Sequence, residues 1–315
     1  MTSITELRGA LLGFAALLVL VLLIISVSPG LPGELLLQSL RFHILFGGVA
    51  LLVALVITGS RWRAALFFIV LVAATGHAAF MVFDLHGRRQ AYTAPPAAEL
   101  RVLSYNVLTG NRRAADAAAH IVALAPDIAI VMETPGVEPY LNDIAKALPY
   151  RVGCESSARC DISLHSRLPL QNARLVDLWP FSHQRLVMAE VEIDGQPATV
   201  VGIHLSKPYF DNASMIEIQQ LRRALDQIDG PVILAGDFNA APWSEPLDFL
   251  AREQGLAPPP SHPATWPVRA SMFGVPIDNM FTRGSAQIME IEAGADSFGS
   301  NHRYLLARVG LYAGS

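Results

Sequence analysis

The chain has 315 residues, of which 52% are hydrophobic and only 16% are charged. Globular domains usually carry about a quarter charged residues, so this composition indicates a chain that lies partly in lipid. Of the net charge of −4, the first 84 residues carry +1 and the remainder −5. This distribution excludes intrinsic disorder and argues against a protein that holds nucleic acid mainly through a basic surface.

Three charge-free apolar runs occupy the first 84 residues, namely Ala10–Ser28, Phe42–Ser60 and Ala64–Phe83. Each has about 20 residues, which at ~1.5 Å rise per residue crosses a hydrocarbon core of ~30 Å. We therefore predict a membrane region over residues 1–84 with three transmembrane helices and the lipid bilayer as a partner. A cleaved signal peptide is the alternative for the first run, although the run is long for that role and two more follow it.

The orientation of this region depends on few residues. Arginines flank the runs almost equally on both sides, so the positive-inside rule gives little preference. The only two cysteines, Cys154 and Cys160, lie six residues apart in a polar segment. This spacing fits a short-range disulfide and an oxidising compartment, with two unrelated thiols as the alternative. We predict a multi-pass protein of the cell (inner) membrane whose following domain is periplasmic or extracellular.

Residues 85–98 are typical of a linker, and residues 99–315 alternate between predicted strands and helices, which indicates one α/β domain. The predicted strands are 100–105, 127–132, 187–193, 198–204, 231–235, 277–282, 286–291 and 304–309. One predicted helix starts at the cap residue Asn111 and ends before Pro126. A second begins with a capping box formed by Ser214 and Glu217.

Polar side chains gather where these predicted strands begin or end. They are Asn106, Glu133, His204, Asp237, Asn239, Asp278, Asn301 and His302. Strand ends deliver side chains into a shared cleft, and carboxylate and amide oxygens suit Mg²⁺ or Mn²⁺ beside a substrate phosphate. Hydrolysis of a phosphate ester needs such a cation, a carboxylate that orients water, and imidazoles that stabilise phosphoryl oxygens. Each residue alone is more often a solvated strand end, a turn residue or a structural histidine than a site residue.

The order of the motifs is more specific than any one of them. Along the chain come Ser104-Tyr105-Asn106-Val107, Val131-Met132-Glu133-Thr134, Gly202-Ile203-His204-Leu205, Gly236-Asp237-Phe238-Asn239-Ala240, Ile277-Asp278-Asn279-Met280-Phe281 and Ser300-Asn301-His302. From residue 99 to the C-terminus this series resembles the endonuclease/exonuclease/phosphatase superfamily. The resemblance implies a four-layer α/β sandwich, in which two packed mixed sheets are flanked by helices and the site lies at one edge.

The resemblance also implies roles for the catalytic residues. Asp237 would orient or deprotonate the attacking water, and Asn239 would hold the phosphate. His204 would contact the phosphoryl group. His302 would stabilise the transition state and would be oriented by Asp278, since a carboxylate behind an imidazole fixes its tautomer.

For the metal, the resemblance implies Glu133 as the main ligand, with Asn106 beside it and position 301 assisting. Family members usually end in Ser-Asp-His, whereas this chain has Ser300-Asn301-His302. Asparagine keeps a carbonyl oxygen but lacks the negative charge, which weakens metal binding.

The sequence therefore predicts a membrane-anchored phosphoesterase that depends on Mg²⁺ or Mn²⁺, either a phosphodiesterase or a nuclease. The alternative is a catalytically weakened module that binds a phosphorylated ligand or lipid. The substrate could be a phospholipid head group, a nucleic acid or a small phosphoester. Segments 208–213 and 257–273 are expected to select it, and Trp243, Trp266 and Phe273 are candidates for stacking or lipid contact.

Overall fold

The computed structural model describes residues 3–155, 160–208 and 211–313. Its N-terminal helices are α1 (Ile4–Val27), α2 (Glu34–Ser39), α3 (Arg41–Ile57) and α4 (Arg61–Gly87). Helices α1, α3 and α4 pack together around an apolar cluster that includes Leu22, Leu55 and Phe67. Most of their remaining apolar side chains are exposed.

Two arginines show that α1 and α3 run antiparallel. Arg8, near the start of α1, donates to the carbonyl of Thr58 at the end of α3. Arg41, at the start of α3, donates to the carbonyl of Ile25 near the end of α1. Each guanidinium thus satisfies a carbonyl that a helix end leaves without an intrahelical partner.

Only two helices of the described chain, α1 and α4, are long and apolar enough to cross a membrane. The prediction of three transmembrane helices is wrong for the middle run. Helix α3 has 17 residues and ends at Ile57, because Thr58 and Gly59 follow and Gly59 takes a positive φ of 81°. At ~1.5 Å per residue such a helix extends only ~25 Å, less than a hydrocarbon core of ~30 Å.

The segment after α4 is held against the following domain. Arg88 pairs with Asp84 and with Asp248. Arg89 donates to the carbonyls of Pro258 and Ile288 at 2.8 and 3.0 Å. These bonds join the end of α4 to the rest of the chain.

The remaining described residues form two mixed sheets and four helices. The strands are β1 (Ala98–Asn106), β2 (Ile128–Met132), β3 (Tyr150–Val152), β4 (Ile162–Ser166), β5 (Gln171–Leu178), β6 (His183–Ile193), β7 (Gln196–His204), β8 (Val232–Asp237), β9 (Asp278–Arg283), β10 (Ala286–Ala293) and β11 (Leu305–Leu311). The helices are α5 (Ala114–Leu124), α6 (Leu141–Ala145), α7 (Ala213–Leu225) and α8 (Glu245–Glu253). One sheet has the order β10-β11-β1-β2-β4-β3 and the other β5-β6-β7-β8-β9. The pairs β1–β2 and β7–β8 are parallel, and the others are antiparallel.

Side-chain alternation along the strands explains the layers. In β1, Val102 points to the core between the two sheets, while Leu103 points to a second core beneath α5 and α6. In β7, Val200 points to the central core and Val201 to a third core beneath α7 and α8. Both faces of these strands are buried over most of their length, so apolar residues predominate along them in the sequence. The prediction of two packed mixed sheets flanked by helices is confirmed.

Two predicted helix starts differ from the structure. Helix α5 begins at Ala114, and Asn111 instead accepts a hydrogen bond from the Arg113 amide at 2.7 Å. Helix α7 begins without a capping box, because the Glu217 carboxylate accepts from the amide and hydroxyl of Ser206 at 2.5 and 2.8 Å. The Glu217 side chain, which the local pattern assigned to the helix cap, therefore bonds to Ser206 from another part of the chain.

Candidate active site

The ends of three neighbouring strands place three polar residues in one row. In the register of the second sheet, His204 of β7 lies opposite Asp237 of β8, and Asp237 lies opposite Asp278 of β9. In the first sheet, Asn106 ends β1 and lies opposite Met132 of β2, and Glu133 follows directly. The two sheets pack face to face, so these ends meet at one edge of the sandwich.

The Asn106 amide joins the two sheets. Its nitrogen lies 3.1 Å from Glu133 Oε1 and 3.0 Å from Asp237 Oδ2, so it donates to both carboxylates at once. The other oxygen of Glu133 accepts from the Thr109 amide at 2.7 Å. Burial raises the pKa of Glu133, but these two donors outweigh it and hold the pKa below its usual range. One oxygen each of Glu133 and Asp237 thus converges on the Asn106 amide nitrogen.

An imidazole–carboxylate pair lies on one side of Asp237. His302 Nδ1 is 2.9 Å from Asp278 Oδ2, and its Nε2 is 3.7 Å from Asp237 Oδ2. Burial lowers the pKa of His302, but Asp278 and Asp237 outweigh it and raise the pKa to about 9. The imidazole is therefore a cation held by the buried carboxylate, with its other nitrogen directed toward the centre.

A second pair lies on the other side and includes a residue to which the sequence assigned no role. Asp161 Oδ2 lies 2.5 Å from His204 Nδ1, and His204 Nε2 is 3.6 Å from Asp237 Oδ2. Burial lowers the pKa of His204, but Asp161 outweighs it and the net shift is upward. In the sequence, Asp161 opens the segment 161–169, which also resembles a strand of the superfamily that ends in Ser-Arg before a proline, but that resemblance gives Asp161 no role.

Asp237 lies at the centre of this cluster, where ionisation of its carboxyl group is disfavoured. Burial, followed by the neighbouring carboxylate of Asp278, raises its pKa. Oxygen Oδ1 of Asp278 is buried and has no hydrogen-bond partner within the described residues. Ligand atoms of Asp237, Asp278 and His302 all lie within 4.8 Å of one another. The donor set fits a divalent cation, since added positive charge would offset the repulsion between buried carboxylates.

The turn after β8 depends on Gly236. It adopts a positive φ of 155°, and a Cβ there would overlap the carbonyl of Ile203 on the neighbouring strand. Beyond the turn, the Asn239 amide donates to Asp237 Oδ1 at 2.9 Å, and its side chain donates to the Leu205 carbonyl at 2.7 Å. The Gly-Asp-Phe-Asn motif thus fixes both polar side chains against β7.

The structure brings all eight site residues named from the sequence to this edge. Glu133, His204, Asp237, Asn239, Asn301 and His302 line one cavity of about 400 Å³, and Asn106 and Asp278 are hydrogen-bonded to members of that set. Asn301 is the exposed member, while Asp237 and His302 are buried.

A second cavity of about 430 Å³ opens on the other side of the same centre. It shares Glu133, His204, Lys207 and Asn239 with the first cavity and adds Arg185 and Asp161. Arg185 lies 3.8 Å from both Asp161 and Glu217. The polar cluster around Asp237 is therefore accessible from two sides.

The segments expected to select a substrate are placed only in part. Pro208 and Trp266 line the first cavity, whereas residues 209 and 210 lie outside the described residues. Trp243 packs edge-on against Phe42 of α3 with ring centroids 4.8 Å apart, and Phe273 is 74% exposed.

The two cysteines are paired as a disulfide. Cys154 and Cys160 lie with their Cα atoms 5.2 Å apart, within the usual range for such a bond. Residues 156–159 of the intervening loop lie outside the described residues.

Comparison with solved structures shows the same fold in proteins of low identity. A humanised D. rerio TDP2 is 19% identical, with a TM-score of 0.55 over 67% of this chain and 99% of that chain. Sphingomyelinase C from Streptomyces griseocarneus is 18% identical, with a TM-score of 0.53 over 67% and 99%. A beta toxin variant from Staphylococcus aureus with bound magnesium ions is 13% identical, with a TM-score of 0.53 over 69% and 100%. No curated protein sequence matches the chain.

The family model described as the endonuclease/exonuclease/phosphatase family matches residues 103–302. This range runs from β1 to His302 and includes every residue of the row described above. The prediction from the sequence is confirmed at this level: the chain belongs to the endonuclease/exonuclease/phosphatase family, whose members are hydrolases that act on phosphate ester bonds.

Proposed function

We propose that this chain is a membrane-anchored phosphodiesterase that uses Mg²⁺ or Mn²⁺ to hydrolyse a phosphate ester by attack of water. One observation carries the proposal: two imidazole–carboxylate pairs flank Asp237, while Glu133 and Asn106 converge on it from the other sheet. This arrangement provides an acidic position for a cation beside two positively polarised nitrogens, which is what an anionic phosphate needs.

Each side chain has a role that its surroundings support. Glu133, assisted by Asn106 and Asn301, would hold the cation, which when bound supplies positive charge to the phosphoryl oxygens. Asp237 would orient the attacking water and accept its proton. His302 and His204 would donate to phosphoryl oxygens. Asn239 would contact the phosphate from the turn after β8.

Asp278 and Asp161 would act through the imidazoles that they hold. Each accepts a hydrogen bond from Nδ1 and so leaves Nε2 directed at the centre. A fixed ring orientation spares the enzyme reorganisation at the moment of reaction.

Membrane anchoring is proposed from the N-terminal helices. Helices α1 and α4 are long and apolar enough to span a bilayer, and only 17% of their apolar windows is buried. Exposed Phe14, Leu20, Phe68 and Phe80 lie on the outer faces of the helices. An apolar surface of this extent favours contact with lipid over contact with water.

The proposal is tested with the purified full chain in detergent, Mn²⁺ or Mg²⁺, and bis-p-nitrophenyl phosphate. We expect metal-dependent turnover that falls by about a hundredfold or more in Asp237→Asn and Glu133→Gln. Asp194→Asn, an exposed change in the β6–β7 turn, is the matched control and keeps wild-type turnover. Metal-independent turnover, or none in the wild type, would contradict the proposal.

A weakened binding module is the second candidate, since Asn301 stands where the resemblance predicts a carboxylate. Asn301→Asp adds a negative charge to the cavity that holds Glu133 and Asp237. For an enzyme, we expect this change to lower the metal concentration for half-maximal activity by about tenfold, because affinity follows ligand charge. Asn142→Asp on α6 controls for net charge. Phosphate-ester binding without turnover in both the wild type and Asn301→Asp would favour the module.

A further inference from the structure

The first cavity has a wall that comes from the N-terminal helices. Leu36 and Ser39 of α2 and Leu40, between α2 and α3, line the same space of about 400 Å³ as Asp237 and His302. These residues precede the family domain by some sixty positions in the chain and lie outside the range that the family model matches. The catalytic row of this protein is therefore completed by a segment that the family pattern does not contain.

Hydrogen bonds fix this wall to the domain. Ser39 Oγ accepts from the Ala241 amide at 2.9 Å, just after the Gly-Asp-Phe-Asn motif. The Gln38 side-chain oxygen accepts from the Glu245 amide at 2.8 Å, and the Gln38 carbonyl accepts from Trp243 Nε1 at 3.2 Å. Gln38 and Ser39 are both buried. The wall is thus a fixed part of the cavity.

The chemistry of the wall is apolar, whereas the opposite cavity is charged. Leu36, Leu40, Val275 and Ile277 face the first cavity beside the catalytic residues. The second cavity presents Arg185 and His183 on the far side of the same centre, while Lys207 lines both cavities. A phosphodiester lying across the row would have one ester group among aliphatic side chains and the other among cationic and polar ones.

We propose that the substrate is an amphiphilic phosphodiester of the bilayer, whose alkyl chain lies against the α2–α3 wall while its polar group occupies the second cavity. This inference rests on the proposed phosphodiesterase function and names its substrate class. Aliphatic side chains beside a reacting phosphate favour burial of an alkyl chain, and α2 follows α1, one of the two helices proposed to span the membrane. A nucleic acid would place a polar sugar and a base against the leucine side chains of this wall, which is a poorer match than an alkyl chain.

The test uses three synthetic esters that share one leaving group: methyl, hexyl and dodecyl 4-nitrophenyl phosphate, with the full chain in mixed micelles and Mn²⁺. We expect kcat/KM to rise with chain length, by about tenfold or more from methyl to dodecyl. In Leu36→Ser and Leu40→Ser the rise should largely disappear, so that the loss on dodecyl exceeds any loss on methyl by about tenfold. Leu31→Ser, an equally exposed leucine of the preceding loop, is the control for micelle partitioning and for surface polarity.

Different outcomes separate the two proposals. If no ester is hydrolysed with metal, the phosphodiesterase function itself fails, and the substrate class with it. If the wild type hydrolyses all three esters equally, or if the wall variants lose methyl and dodecyl turnover in the same proportion, the function stands and the lipid inference is overturned. A single-stranded oligonucleotide that is hydrolysed with higher kcat/KM than the dodecyl ester overturns it as well.

Discussion

At the scale of single residues, two carboxylates hold the two imidazoles of the centre from behind. Asp278 orients His302, and Asp161 orients His204. The first pair follows from the resemblance because Asp278 and His302 both belong to motifs that carry it. The second pair could not be assigned, since Asp161 is 43 residues from His204 in the chain and no local pattern in the sequence relates the two residues. Only the packing of β4 near β7 brings the two together.

Replacing Asp161 by asparagine tests this pair. Asp161→Asn keeps an oxygen at the His204 ring but removes the charge that raises its pKa. We expect kcat/KM to fall by about a hundredfold and the alkaline limb of the pH–rate profile to move to lower pH, because the protonated imidazole is lost earlier. Asp194→Asn again serves as the control. An unchanged alkaline limb would show that His204 does not act in its protonated form.

At the scale of elements, the close approach of β7 and β8 makes one glycine irreplaceable. Gly236→Ala would force a Cβ into the Ile203 carbonyl, which is backbone and cannot move aside. We expect a loss of more than about 3 kcal/mol of unfolding free energy and a fall in Tm of about 6 °C or more. Gly195→Ala in the β6–β7 turn also has a positive φ but faces open space, so it should cost only about 1 kcal/mol. Equal Tm values for the two variants would contradict the steric argument.

Strand β4 contains a buried histidine that makes the domain sensitive to acid. His165 accepts or donates a hydrogen bond with Ser163 at 2.9 Å, and burial lowers its pKa from 6.5 to about 3. Between these values the unfolded chain binds a proton that the folded chain does not. Its contribution to stability is therefore complete above pH 6.5 and is lost progressively as the pH falls toward 3. His302, whose pKa is raised to about 9, acts in the opposite direction and in a separate window, where stability is lost as the pH rises above 6.5.

The variant His165→Gln should flatten the acid response. We expect the Tm of the wild type to fall between about pH 7 and about pH 5. The variant should lose about 2 kcal/mol less unfolding free energy over this range, which is equivalent to several degrees in Tm. His183→Gln, at an exposed position, should retain the wild-type slope. The measurement is a thermal melt of the full chain in detergent across this pH range. A parallel decline in wild type and His165→Gln would contradict the assignment.

The elements that could be predicted from the sequence are those whose pattern is set by burial. Strands such as 128–132 and 232–235 are continuous apolar runs because helices cover one face and the other sheet covers the second. The capping box at Glu217 could not be excluded from the sequence, since its competitor Ser206 comes from another part of the chain. The predicted run is longer than α3 because the uncharged residues continue through Thr58, Gly59 and Ser60, while the turn at Gly59 decides where the helix ends.

At the scale of the whole molecule, the sequence predicts two parts but not how they join. Nothing in the pattern of residues 34–40 shows that Ser39 and Gln38 bond to the segment after β8. A count of arginines along the chain also leaves the orientation nearly balanced. The structure distinguishes the two orientations because it shows which of those arginines are exposed and which are buried or hydrogen-bonded within the protein.

The two ends of the helical bundle differ in their exposed charge. At one end, Arg61 and Arg63 are exposed on either side of Trp62 in the turn between α3 and α4. At the other, Arg41 is buried against the end of α1, and Arg88 and Arg89 are bonded to the domain. The freely exposed positive charge therefore lies away from the catalytic domain. By the positive-inside rule, we propose a cytoplasmic α3–α4 turn and a catalytic domain on the outer side of the membrane, with α1 and α4 as the spanning helices and the shorter antiparallel α3 returning the chain within the bundle.

Cysteine accessibility tests this orientation. In a Cys154→Ser, Cys160→Ser background, single cysteines are introduced as Trp62→Cys in the α3–α4 turn and Asp194→Cys in the β6–β7 turn. Because the two positions lie at opposite ends of the molecule, an impermeant maleimide applied to intact spheroplasts should label Asp194→Cys and reach Trp62→Cys only after lysis. The reverse pattern would place the catalytic domain in the cytoplasm. Labelling of both before lysis would contradict a spanning arrangement and leave the apolar helices at the membrane surface.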